Sequence, residues 1–258
     1  MPPQPQPPYD LQPADDDRPV TVDRREGPYG EVVLRRRGGG GPGDAVFEII
    51  ANGCFLMDTS DGRSERLLIR AALGTLPADR PSPALLIGGL GVGFSLVEAV
   101  AEPRWGRISV VEREAAVIDW HRDGPLAAMT AGALADPRAE IVHADLVAWL
   151  RTGPETSQTP HTPQTPRPPR TYDALCLDID NGPDWTVTED NDGLYSPAGL
   201  AACAARLAPG GVLAVWSARP SPAFEESLRN AGFTRVRTEE VTVARGVPDV
   251  VHLAVRGA

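Results

Sequence analysis

From residue 83 onward the chain alternates short apolar runs with amphipathic stretches. The apolar runs are Ala84–Ile87, Ile108–Val111, Ala139–His143, Ala174–Leu177 and Val212–Trp216. They have strand length and few polar interruptions, the pattern of strands covered on both faces. The stretches between them read as helices beginning near Phe94, Ala115, Leu146 and Pro197. This order predicts a parallel sheet with right-handed crossovers. Phe233–Val236 and Val250–Val255 add two late strands, with a helix between Pro220 and Ala231. The last strand follows its predecessor with no helix between them, so a terminal antiparallel hairpin is expected.

Upstream the pattern changes. Glu31–Arg35, Ala45–Ala51 and Cys54–Met57 read as short strands, with Gly38–Gly41 and Asn52-Gly53 as turns. They predict a small antiparallel meander. Arg63–Leu76 then reads as a helix with Leu67, Leu68, Ala71 and Ala72 on one face. Residues 1–27 hold prolines, acids and few large apolar side chains, and are expected to be a disordered tail. Thr152–Arg170 is Pro/Thr-rich, lacks periodicity, and reads as a disordered insertion. The expected organisation is a tail (1–27), a small β domain plus helix (28–78) and a larger α/β domain (79–258).

Composition narrows the function classes. At 258 residues the chain can bury one or two ample cores, and its net charge of −10 argues against non-specific nucleic-acid binding. Cys54, Cys176 and Cys203 lie far apart and read as small hydrophobes in a reducing compartment. His121, His143, His161 and His252 show no metal spacing and read as surface or core residues. The N-terminus lacks a basic-then-apolar leader pattern. The longest apolar stretch, Ala84–Ala101, contains four glycines and Glu98, so strand plus helix explains it better than a membrane span. A cytoplasmic protein is the expectation, with neither membrane nor nucleic acid as partner.

The candidate chemistry lies at the ends of the predicted strands. Gly88, Gly89, Gly91 and Gly93 follow the first strand of the larger domain and open a helix. Glycines permit a tight turn and close approach to a ligand, and the helix start supplies free N–H groups. Glu112 ends the next strand, about 20 residues on, where an acid meets ribose hydroxyls. Together these predict a nucleotide or nucleoside site built on Gly89, Gly91, Gly93 and Glu112. Ligands in open parallel sheets bind outside the strands' carboxyl ends. Asp145 follows the third strand there, either as ligand contact or as helix N-cap, and Asp178 and Asp180 follow the fourth. Asp184 and Tyr195 lie in the acidic segment beyond and are candidate substrate contacts. Asp178-Ile179-Asp180 lacks further spaced ligands, so no metal is expected.

Residues from about 44 to 217 resemble the spermidine synthase (polyamine aminopropyltransferase) family. The resemblance runs through Leu86-Ile-Gly-Gly89, Val110-Val-Glu-Arg113, His143-Ala-Asp145, Tyr172-Asp-Ala-Leu-Cys-Leu-Asp178 and Gly182-Pro183. It implies a Rossmann-like class I methyltransferase fold, a mostly parallel seven-stranded sheet preceded by an N-terminal β-meander that often mediates dimers. It also implies transfer of an aminopropyl group from decarboxylated S-adenosylmethionine to an amine. Glu112 would hold the ribose hydroxyls, Asp145 the adenine amino group, and Asp178 would sit by the attacking amine. The family usually has an Asp where Gly91 stands and a Gln near Leu56. It has a Tyr or His in the following helix, and neither occurs between Asp61 and Leu73. The nucleoside half of the site is therefore kept while the aminopropyl half is altered. An S-adenosylmethionine-dependent methyltransferase of a small molecule and a non-catalytic family member are the competing readings.

Overall fold

The computed structural model describes residues 18–38, 45–152, 170–179, 181–184, 193–242 and 247–257. An antiparallel sheet comes first, formed by β1 (Val20–Gly27), β2 (Gly30–Arg37), β3 (Val46–Ala51) and β4 (Cys54–Asp58) in that spatial order. Helix α1 (Arg63–Thr75) leads into β5 (Ala84–Gly88), α2 (Phe94–Ala101), β6 (Arg107–Glu112), α3 (Ala115–Arg122), α4 (Ala127–Leu134), β7 (Ala139–His143) and α5 (Leu146–Thr152). The chain continues through β8 (Tyr172–Leu177), α6 (Pro197–Arg206), β9 (Leu207–Ser217), α7 (Pro222–Asn230), β10 (Phe233–Val241) and β11 (Asp249–Arg256).

The large sheet has the order β10-β11-β9-β8-β5-β6-β7. Strands β7, β6, β5, β8 and β9 are parallel, and the β10–β11 hairpin adds antiparallel to β9. This is the architecture that the alternation predicts. The unbroken apolar runs arise because both faces are covered. Leu85 and Ile87 of β5 join one core with α1 to α4, while Leu86 joins the other with α5 to α7. Each such fully buried side chain contributes about 1.5–3 kcal/mol relative to exposure.

The structure departs from the sequence reading at three places. Residues 20–27, assigned to the tail, form β1. The strand is poor in apolar residues, and its order comes instead from pairing with β2 and from polar contacts to α3. Trp120 Nε1 donates to Asp23 at 2.8 Å and Arg25 pairs with Asp119 at 2.7 Å. Residues 127–134, assigned to no element, form α4, whose Ala-rich stretch carries no amphipathic period. Helix α1, grouped above with the small sheet, packs on α2 and on β8, β9 and β11. Residues 1–17 of the expected tail and residues 153–169 of the expected insertion lie outside the described residues.

Candidate nucleoside and amine site

A cleft of about 950 Å3, counting its open mouth, lies at the carboxyl ends of β5, β6, β7 and β8. Predicted residues Gly89, Gly91, Glu112, Asp145 and Asp178 all line it. Parallel order places these strand ends side by side, since β5 pairs with both β6 and β8. Gly89 has φ +92°, and a Cβ there would meet the Asp178 carbonyl oxygen at 2.4 Å. Only glycine lets the loop pass so close to the end of β8. Gly93 stands behind the cleft as the left-handed N-cap of α2, against Thr130 and His121.

The Glu112 carboxylate is 8% exposed and tied to backbone on both oxygens. Oε2 accepts the Leu90 N–H at 2.8 Å and Oε1 accepts the Glu114 N–H at 2.8 Å. These bonds pin the glycine loop to the end of β6. Each carboxylate oxygen has a second lone pair, so the same group retains capacity for ribose hydroxyls. Asp145 takes the Ala148 N–H at 2.7 Å and so caps α5 while lining the cleft. Val32, Ile49, Val117 and Leu146 supply apolar walls suited to a base.

His121, read above as a surface or core residue, supports the loop. Its Nε2 lies 2.8 Å from the Gly91 carbonyl oxygen and its Nδ1 2.9 Å from Thr130 Oγ1. Burial holds the ring below the usual histidine range, so it stays neutral and donates Nε2–H to the carbonyl. No spacing signal marks it, because its partners come from separate elements.

On the other side of the cleft, carboxylates converge. Asp178 directly follows β8 and receives the Ser95 hydroxyl at 3.3 Å. Burial pushes its carboxyl up to about 6, Asp249 adds repulsion, and the Ser95 bond opposes both. Glu65, from the first turn of α1, lines the same cleft and is 8% exposed. Burial, then the nearby Asp178, pushes it up to about 8. Asp249 opens β11 and is held by Ser64 Oγ at 2.6 Å. The sequence reading missed both Glu65 and Asp249. A first-turn acid is ordinary helix chemistry, and Asp249 is remote in sequence.

The wall at Gly91 is apolar. Met57 Sδ accepts the Val92 N–H at 3.2 Å, and a Cβ on Gly91 would meet that sulfur at 2.3 Å. Met57 thus fills the space beside Gly91, with Leu56 next to it. Two further candidates lie away from the cleft. Asp184 accepts from Ser221 Oγ at 2.9 Å at the start of α7, and Tyr195 packs edge-on to Phe224 in the core. Asp180 lies outside the described residues. No group of three or more His, Cys, Asp and Glu side chains fit for a metal occurs among the described residues. No helix among them is long and apolar enough to cross a membrane.

A seven-stranded sheet of this order, with a glycine loop after β5 and a small antiparallel sheet in front, defines a Rossmann-like class I methyltransferase fold. Among solved structures it is the fold of spermidine synthases. A spermidine synthase in complex with the transition state analogue AdoDATO matches with TM-score 0.68, covering 92% of this chain and 74% of that one at 18% identity. The spermidine synthase from Thermotoga maritima matches with TM-score 0.64, covering 92% and 73% at 17% identity. In sequence, the chain is 30% identical over 196 residues, 76% of its length, to polyamine aminopropyltransferases of Mycobacterium tuberculosis and Mycobacterium bovis. It spans 32%, about a third, of the length of those relatives. No family model matches the chain.

Proposed function

We propose that the chain transfers an aminopropyl group from decarboxylated S-adenosylmethionine to a small-molecule amine. The observation that carries this reading is Asp178, a carboxylate beside the glycine loop in the same cleft as Glu112 and Asp145. In the reaction the amine nitrogen bonds to the carbon next to the sulfonium. The carbon–sulfur bond breaks, its electron pair goes to sulfur, and methylthioadenosine leaves. The amine must be unprotonated when it attacks, and a carboxylate raised to about 6 is a competent acceptor for that proton. Glu112 and the glycine loop orient the nucleoside, and Asp145 faces the base. Asp178 orients the attacking nitrogen, the positional contribution that makes the encounter effectively unimolecular. A homodimer through the small sheet is part of this reading. It is supported by β1, which forms the sheet's edge and exposes Val20 and Val22.

Mass spectrometry tests the proposal, with putrescine, spermidine and cadaverine each incubated with either form of the cofactor. Aminopropylated amine is expected only with the decarboxylated form. Asp178→Asn should lower turnover about 10²–10⁴-fold, the span of a positioned general base, with little change in methylthioadenosine affinity. Methylated amine without aminopropylated amine, or no product with any pair, overturns it.

A further inference from the structure

We propose that Glu65 is the counter-ion for the acceptor's ammonium group, a specificity-determining residue through which α1 makes this cleft select cationic amines. The inference rests on the aminopropyl-transfer reading above and names the group that reads the acceptor. It follows from how the cleft's carboxylates are compensated. Glu112 takes two backbone N–H groups and Asp145 takes one. Asp178 takes the Ser95 hydroxyl. Glu65 has its own backbone N–H, and no other donor among the described residues reaches its carboxylate. It is nevertheless 8% exposed and opens into the cleft. A buried carboxylate whose one donor is its own backbone N–H is poorly compensated, and is costly unless it is protonated or meets a cation.

The groups around Glu65 leave that cation to the ligand. Asp61 precedes α1 and is paired with Arg63. Arg66 turns away to lie over the Phe94 ring at 4.6 Å, and Arg70 faces Glu98 at 3.6 Å. From α2, Ser95 Oγ meets the Glu65 backbone oxygen rather than its carboxylate. From β8 and β11 come two more carboxyl groups, Asp178 and Asp249, while β4 and β9 supply Met57 and Trp216. The wall at Gly91 and Met57 offers no charge. An ammonium entering the cleft therefore finds its counter-charge on the α1 side once Glu65 gives up its proton, beside the carboxylate that accepts the reacting proton.

Proton linkage follows. With its carboxyl raised to about 8, Glu65 carries a proton at neutral pH before the amine arrives. An ammonium beside it favours the ionised form, so the proton leaves as the amine binds. Amine affinity should then rise as pH climbs from 6.5 toward 8, by at most tenfold per unit.

Calorimetric titration of the full chain tests this, with putrescine added at pH 7 to protein saturated with methylthioadenosine, in phosphate and in Tris. The binding enthalpy of the wild type should differ between buffers by an amount corresponding to nearly one released proton. Glu65→Gln should remove that dependence and weaken putrescine at least tenfold, while methylthioadenosine affinity stays within twofold. Glu65→Asp, which restores the charge, should recover part of both. If Glu65→Gln binds putrescine as the wild type does, or still releases the proton, the inference is overturned and the transfer reading stands. If the wild type binds neither methylthioadenosine nor putrescine, both fall.

Discussion

Putting an aspartate at position 91 is a sharp test of how this cleft is packed. Gly91 has φ +50°, and an added Cβ would meet Met57 Sδ at 2.3 Å and Met57 Cε at 3.0 Å. Neither contact is tolerable, so the thioether must move and surrender the Val92 N–H that it accepts at 3.2 Å. Overpacking of this kind costs about 1–3 kcal/mol. A non-glycine residue in the left-handed region adds about 1 kcal/mol, at the low end because aspartate tolerates it. Gly91→Asp should therefore destabilise the protein by about 2–4 kcal/mol, which lowers the melting temperature by about 10 °C for a chain of this size. Met57→Ala alone removes a partly buried side chain and should cost about 1–2 kcal/mol. The double variant opens room for the new carboxylate, so its loss should fall short of the sum by at least 1 kcal/mol. Urea unfolding of the four proteins measures that coupling. Additivity within about 0.5 kcal/mol, or a Gly91→Asp protein as stable as the wild type, would refute the claim that Met57 occupies the space beside Gly91.

Two further outcomes are expected. Glu112→Gln turns one of two acceptor oxygens toward a backbone N–H as a donor, and should cost about 1–3 kcal/mol of stability. It should also speed hydrogen exchange at the Leu90 or Glu114 amide; unchanged exchange at both would show that Glu112 does not pin the loop. The Asp178 carboxyl is raised to about 6 in the folded protein from 3.8, so its contribution is complete below about pH 4 and is lost as pH rises through 6. Without ligand, Asp178→Asn should be the more stable protein at pH 8, by about 1–3 kcal/mol, with the gap closing toward pH 4.5 in thermal scans. A gap independent of pH would mean that the Asp178 charge is not under strain.

Much of the scaffold is legible along the chain. The runs Ala84–Ile87 and Ile108–Val111 are apolar without alternation because helices cover both faces of their sheet, and each falls within the strand found there. The glycine loop and the acids at 112, 145 and 178 were readable for a related reason. In a parallel sheet, consecutive strand ends converge on one edge, so order along the sequence becomes proximity in space. Strand β1 was not readable, because its order comes from β2 and α3 rather than from its own apolar content. What folding alone decided is the charge character of the cleft. Glu65 belongs to α1, Asp178 to the end of β8, Asp249 to β11 and Met57 to β4, and no local pattern links them. A carboxylate's chemistry depends on which donors and charges pack around it. Glu112, with two backbone donors, serves as a tie for the loop, while Glu65, with only its own N–H, is left for a cation.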